Sequence, residues 1–167
     1  YPAAISRTSY ARTTDGANNW GLTALPTPGK SNDGSVFATA RLDAPIINKD
    51  SQLFTSSFIA RVTIPDGATL KYTTDGTTPS ATNGQVSTTG RFTVNTTTTY
   101  RFRLFQDGML PSEVITRSYI YKDKEFKLPV ISVVTDPVNL YDDSLGVYVK
   151  GVNGRPGNGQ STPCNWN

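Results

Sequence analysis

The sequence predicts an all-β protein built as an antiparallel β-sandwich with irregular flanking segments. Its 167 residues include 24 Thr, 14 Ser, 14 Gly and 11 Pro but only two Glu, a composition rich in strand and turn formers and poor in helix formers. Apolar and polar residues alternate in several short stretches, which is the period of a strand with one buried face. Turn residues separate these stretches at intervals of about ten residues, a spacing typical of β-sandwiches.

The first segment, residues 1–32, is dense in turn formers. Asp15-Gly16, Asn18-Asn19 and the run from Pro26 to Gly29 leave room for short strands only. We therefore expect loops with brief strand pairing in this segment.

The predicted sandwich covers residues 43–122. Alternation predicts strands near residues 58–64, 70–74, 92–94, 99–104 and 112–121. The second strand ends at Asp75-Gly76, where Asp can form an Asx-turn and Gly can take a positive φ, and a loop is expected from there to Gly90. Asp107-Gly108 predicts a hairpin between the last two strands.

A different unit is predicted after the charged linker at residues 122–125. Leu128 to Val134 is an almost continuous apolar run, of the kind buried on both faces of a sheet. Gly151 to Gly159 contains four glycines and one proline, which predicts a flexible loop. We interpret residues 128–167 as an incomplete unit, and the whole chain as a piece of a longer protein.

Composition excludes several classes of site. The chain has no histidine, which excludes histidine-based triads, histidine metal sites and histidine proton shuttles. Cys164 is the single cysteine, so it has no disulfide partner within the chain and no histidine base to activate it. A net charge of +3 without a dense Lys/Arg run does not favour nucleic acid as a partner. No apolar run approaches the roughly 18 residues that a membrane-spanning helix needs.

The run from Leu70 to Pro79 contains Tyr-Thr-Thr-Asp-Gly-Thr-Thr-Pro and is followed by Phe92, Asp107-Gly108 and Tyr119. This pattern resembles the chitobiase/β-hexosaminidase C-terminal type of fibronectin-III-like domain over roughly residues 43–121. The resemblance implies an immunoglobulin/fibronectin-III-like sandwich without catalytic activity, appended to secreted bacterial enzymes or surface proteins.

The two flanks resemble parts of other domains. Ser9 to Arg12, Asp15-Gly16, Trp20 and Pro26 to Gly29 are similar to the closing stretch of a bacterial lamin-tail domain. Leu128 to Ser132, Thr135 to Pro137, Leu140 to Asp143 and Gly146 to Val149 are similar to the opening of a CotH (spore-coat protein H) kinase-like domain. The second resemblance implies a kinase-like fold, but the nucleotide-binding and catalytic positions lie downstream of the match, so no catalytic residue is carried over.

Asp136, Asp142 and Asp143 are weak candidates for a cation site. Three carboxylates within eight residues could supply the several oxygens that hard cations take. However, adjacent Asp142 and Asp143 point to opposite sides if extended, and turn or cap roles suit these residues equally well. Asp75 with Gly76 is interpreted as a structural turn.

Trp20, Tyr121 and Tyr141 are the candidate sugar-stacking residues, with Tyr10 and Trp166 as further possibilities. Exposed side by side, such rings stack on a pyranose face, although most aromatic rings of a small sandwich fill its core.

Two other patterns have a structural and a functional interpretation. Arg101 and Arg103 share one face of a predicted strand and either meet phosphate or an acidic polymer or lie on a solvated outer face. Gly151 to Gly159 lacks the Gly-Lys-Ser/Thr ending of a phosphate-binding loop, so the flexible-loop interpretation is preferred.

The leading hypothesis is a non-catalytic structural or spacer module, without a cofactor, in a secreted or surface-exposed bacterial multidomain protein. Its partners are then the neighbouring domains of a longer chain. One alternative is an accessory carbohydrate-binding module, with a polysaccharide as partner. The other is a fragment of a CotH-type atypical kinase without its catalytic part.

Overall fold

The computed structural model describes residues 7–151, which form nine β-strands and one helical turn. The strands are β1 (Ser9–Arg12), β2 (Trp20–Thr23), β3 (Gln52–Phe54), β4 (Phe58–Arg61), β5 (Thr69–Thr73), β6 (Gln85–Ser87), β7 (Arg91–Val94), β8 (Thr98–Phe105) and β9 (Ile115–Tyr121). The helical turn is α1 (Val138–Tyr141). The predicted β-sandwich fold class is confirmed.

The sandwich consists of a five-stranded sheet and a two-stranded sheet. The larger sheet has the order β3-β9-β8-β5-β6, and the smaller one pairs β4 with β7. The predicted hairpin is present, since β8 and β9 pair antiparallel with Phe102 opposite Ile115. Two strands were not predicted: β6 lies within the expected loop before Gly90, and β3 pairs parallel with β9 at the sheet edge.

The alternation in the sequence corresponds to the core of the sandwich. Ala60 of β4 is completely buried, whereas its neighbours Ile59 and Arg61 are exposed. In β8, Phe102 and Leu104 are buried, and Phe92 of the facing sheet lies 5.0 Å from the Phe102 ring. The inward residues of both sheets thus form one continuous core.

Tyr119 of β9 closes one end of this core. It is completely buried, and its hydroxyl donates a hydrogen bond to the Lys49 carbonyl at 2.9 Å. Burial raises the pKa of Tyr119 above the usual 10.0, because the phenolate would lack solvation there. The buried hydroxyl is therefore satisfied only in its neutral, donating form.

The N-terminal flank pairs briefly, as predicted, and is joined to the sandwich. β1 and β2 form an antiparallel hairpin, and Leu22 of β2 bridges to Ala38. Leu22 and Ala38 pack with Leu110 in a small second core. The backbone of Leu42 then donates to the Leu110 carbonyl at 3.0 Å, and the Leu42 side chain belongs to the main core.

The prediction that Leu128 to Val134 is buried on both faces is wrong. No strand is assigned at residues 128–134, and Ile131 and Val133 are each 84% exposed. Val130, Ser132 and Val134 instead border a groove on the five-stranded sheet. No strand of residues 7–151 pairs with this segment, so it does not become part of a sheet and only the side with Val130, Ser132 and Val134 faces the protein. Cys164, Trp166 and the loop predicted after Gly151 lie outside the described residues.

Candidate functional site

The Asp75 loop, residues 74–79, contains the turn predicted from the sequence. Asp75 Oδ1 accepts hydrogen bonds from the Thr77 hydroxyl at 2.6 Å and the Thr77 amide at 3.0 Å. These bonds, the hydroxyl bond first, hold the pKa of the Asp75 carboxyl below its usual value. Gly76 has a φ of +84°, a conformation in which a side chain is strained. The geometry is that of a structural turn.

The same loop contacts the segment that follows the sandwich. The Thr78 amide donates to Asp136 Oδ2 at 3.0 Å, across 58 positions of the chain. A Cβ at Gly76 would lie 2.9 Å from the Thr135 carbonyl oxygen, which is too close for a real Cβ. The guanidinium of Arg101, on β8, donates a hydrogen bond to the Gly76 carbonyl at 2.7 Å and so joins the loop to the five-stranded sheet.

Residues 128–139, which we term the C-terminal arm, lie on the outer face of the five-stranded sheet. Ser132 donates from its hydroxyl to Ser118 Oγ at 2.9 Å, and Ser118 also pairs with Thr99 at 3.1 Å. A groove of about 660 Å³ opens between the arm and the edge of the sheet, where Leu53 and Ile120 line it. The arm is thus attached at two points, Ser118 and the Asp75 loop.

Two of the three candidate cation ligands, Asp136 and Asp142, accept hydrogen bonds from backbone amides. Asp136 accepts from Thr78 through one oxygen and from the Val138 amide at 3.3 Å through the other. Asp142 Oδ1 accepts from the amides of Ser144 at 2.8 Å and Leu145 at 3.1 Å. Within residues 7–151, His, Cys, Asp and Glu form no group of three or more that could hold a metal ion.

The three candidate sugar-stacking rings lie in three separate aromatic pairs. Trp20 stacks on Tyr10 with centroids 5.7 Å apart, and the Arg12 guanidinium lies over the Trp20 ring. Tyr121 meets Phe54 edge to face at 5.5 Å.

The third pair joins Tyr141 to Tyr148 at 6.2 Å, and these two rings are 64% and 74% exposed. This pair offers the largest aromatic surface among the three. The sequence reasoning missed Tyr148, which lies near Tyr141 because the Tyr148 amide donates to the Leu140 carbonyl at 2.8 Å.

An arginine-lined pocket lies beside the Asp75 loop. It has a volume of about 400 Å³ and is lined by Arg7, Thr78, Arg101, Arg103, Glu113 and Val114. Arg101 and Arg103 lie on the outer sheet face, as their alternation with Tyr100 and Phe102 indicated. Burial lowers the pKa of Arg103, an effect that the charge of Glu113 opposes. Nothing local in the sequence indicates that Arg7 and Glu113 join this pair.

No helix among the described residues is long and apolar enough to cross a membrane.

A family of known domains matches part of the chain. A sequence model of the family described as the chitobiase/beta-hexosaminidase C-terminal domain matches residues 50–116, from just before β3 to the start of β9. This domain is a β-sandwich module of multidomain proteins. The match covers less than half of the chain, and the lamin-tail and CotH resemblances of the two flanks stay predictions. No curated protein matches the sequence.

Proposed function

We propose that this chain is a non-catalytic spacer module. Its β-sandwich holds the two flanking segments of the chain in fixed positions. The observation that carries the proposal is the bond from the Thr78 amide to Asp136, by which a loop of the sandwich holds the arm that follows it. The parent is proposed to be a multidomain protein, secreted or on the cell surface of a bacterium, in line with the resemblance of residues 70–79.

Contacts at both flanks support a spacer. On the N-terminal side, Leu22 and Ala38 pack with Leu110, and residues 39–42 hydrogen-bond along the loop after β8. On the C-terminal side, Ser118 and Thr78 each bond to the arm. A linker fixed at several points transmits orientation, whereas a linker without contacts leaves adjacent domains to move independently.

The chemistry of the chain also supports a non-catalytic role. It lacks histidine altogether, and the carboxylates of Asp75 and Asp136 are each engaged by backbone amides in turns or in the arm contact. Hydrogen bonds from backbone amides stabilise the charged form of a carboxylate, which suits a structural acceptor in a turn or an arm contact.

Replacing Asp136 with alanine is expected to release the arm. The variant removes the acceptor of both the Thr78 and the Val138 amides, and a hydrogen bond to a charged group contributes about 1.5–3 kcal/mol. We therefore expect hydrogen exchange at the Thr78 amide of the full chain to accelerate about tenfold or more. Exchange is measured by NMR, with exchange at β8 amides as the internal reference.

The matched control is Asp123→Ala, which removes an exposed carboxylate from the linker and should leave Thr78 exchange unchanged. Gly76→Ala is a second route to the same result, since its Cβ would strain the loop and meet the Thr135 carbonyl. It should also destabilise the chain by about 1 kcal/mol. Equal Thr78 exchange in the parent chain, in Asp136→Ala and in Gly76→Ala would contradict the spacer proposal.

A second candidate function is glycan binding by the Tyr141–Tyr148 pair. Both rings are largely exposed, which is the condition for stacking on a sugar ring. On this hypothesis the full chain is retained by one of the insoluble glycans chitin, cellulose, xylan or peptidoglycan. Tyr148→Ala should abolish retention, while Tyr121→Ala, which changes a ring in a different pair, should not. Absence of retention on all four glycans would reject the glycan hypothesis and leave the spacer proposal standing.

A further inference from the structure

The arginine-lined pocket carries more positive than negative charge. Arg7, Arg101 and Arg103 line it, and the one carboxylate in the lining is that of Glu113. Glu113 is also the ion-pair partner of Arg41, so its charge is shared between two arginines. Outside the lining, Asp136 accepts a hydrogen bond from the Thr78 amide. Three guanidinium groups thus line the pocket with one carboxylate, which is itself paired with a fourth arginine outside the lining.

The two central guanidinium groups are held in place by backbone carbonyls. Arg103 donates from Nε to the Ser112 carbonyl at 2.8 Å and more distantly to the Pro79 carbonyl at 3.4 Å. Arg101 donates to the Gly76 carbonyl. Neutral carbonyls position an arginine without cancelling its charge, so the pocket keeps its positive potential.

Among the residues that line the pocket, one buried side-chain donor has no hydrogen-bond partner. Arg101 Nε is buried, yet no hydrogen-bond acceptor among the described residues reaches it. A buried donor of this kind is costly unless a ligand or water satisfies it. Arginine presents its N–H groups as a planar fork, which matches the oxygens of carboxylate, sulfate and phosphate groups.

From this geometry we infer that the pocket of Arg7, Arg101 and Arg103 is a binding site for an oxyanion group, with the Thr78 hydroxyl available as a further donor. The ligand is a carboxylate, sulfate or phosphate group small enough for a cavity of about 400 Å³. Such a group can arrive as a small ion or as a substituent of an acidic polymer. The site adds a ligand-binding role to the spacer and does not depend on it.

The test is an NMR titration of the ¹⁵N-labelled full chain that follows the arginine Nε–H signals. The probes are inorganic phosphate, inorganic sulfate, acetate and an oligogalacturonate, each at constant ionic strength. We expect saturable shifts of the Arg101 and Arg103 signals with at least one probe. Phosphate and sulfate, compared with acetate, distinguish a tetrahedral anion from a planar carboxylate. Acetate, compared with oligogalacturonate, distinguishes a small ion from a polymer.

Three variants locate the site. Arg101→Gln should weaken binding about tenfold, as expected for losing a charged hydrogen bond. Arg7→Gln, at an exposed position, should also weaken binding and leaves the sandwich intact if Arg101→Gln fails to fold. Arg91→Gln removes an exposed arginine from β7 and is the charge-matched control, with an expected change of less than about twofold. Glu113→Gln should strengthen binding because it removes the carboxylate of the lining.

Two results would overturn the inference. The first is a set of chemical-shift changes at Arg101 and Arg103 that rise linearly with the concentration of every probe and never saturate. The second is an equal loss of affinity in Arg7→Gln and Arg91→Gln, which would reflect net charge and not this pocket.

Discussion

Phe102→Ala is expected to be the most destabilising single substitution in the core. The side chain is completely buried at the centre of β8, with the rings of Tyr72, Phe92 and Tyr100 within 6.4 Å. Truncating a buried phenylalanine leaves a cavity and costs about 3–5 kcal/mol. Small domains have a total stability of about 5–15 kcal/mol, so this loss is a large part of the whole. Urea denaturation of the full chain measures it.

Phe105→Ala is the matched control for Phe102→Ala, because both residues are phenylalanines of β8. Phe105 lies on the outer sheet face, where its ring is partly exposed and contacts Lys71 and Arg103. Its loss should cost about 1 kcal/mol, mainly from the cation–π contacts. An equal loss of unfolding free energy in the two variants would contradict the burial of Phe102 on the inner face of β8 and the partial exposure of Phe105 on the outer face.

Gly90→Ala is expected to have the second largest effect. Gly90 has a φ of +61°, and a Cβ there would overlap the Val62 carbonyl oxygen. The Val62 amide also donates to the Gly90 carbonyl at 2.8 Å, so neither backbone segment can move without loss of that bond. An alanine at positive φ alone costs about 1 kcal/mol. The backbone must also move apart at Val62, which weakens the hydrogen bond to the Gly90 carbonyl, so the expected total loss of stability is about 3 kcal/mol. Thermal unfolding of the full chain measures the difference.

Gly108→Ala separates the two contributions at Gly90. Gly108 has a similar φ of +74°, but no atom lies within 4 Å of the position its Cβ would take. This control should therefore lose only the conformational part, about 1 kcal/mol. If Gly90→Ala were no worse than Gly108→Ala, the close approach of Val62 to Gly90 would not exist in solution.

The longer strands of the sandwich could be predicted because each carries its own alternation. β8 alternates Tyr100, Phe102 and Leu104 with arginines, and its pattern indicates both the strand and its buried face. β3 and β6 have three residues each, too few for a period to be visible, and they form only because a longer strand offers a partner. The parallel pairing of β3 with β9 has no local sequence signal at all.

The candidate sites divide in the same way. The Asp75-Gly76 turn is a local structure, so two adjacent residues predict it. The arm contact and the arginine pocket are not local. Thr78 bonds Asp136 across 58 positions of the chain, and Arg7 and Arg101, far apart in sequence, line the same pocket. The apolar run at residues 128–134 is a local pattern that gave a wrong prediction. Its composition predicts burial on both faces, but such burial needs neighbouring strands, and no strand of residues 7–151 pairs with the run.

The parallel pairing of β3 with β9 also has a mechanical consequence. Gln52 lies opposite Tyr119 and Phe54 opposite Tyr121, so both strands run the same way. The chain therefore enters the pair at one end and leaves it at the other, where the Lys122 amide still bonds the Phe54 carbonyl at 2.7 Å. Tension applied through the two flanks pulls these strands past each other along their length. The bonds between them then bear the load together instead of opening one after another, a geometry that resists force in shear.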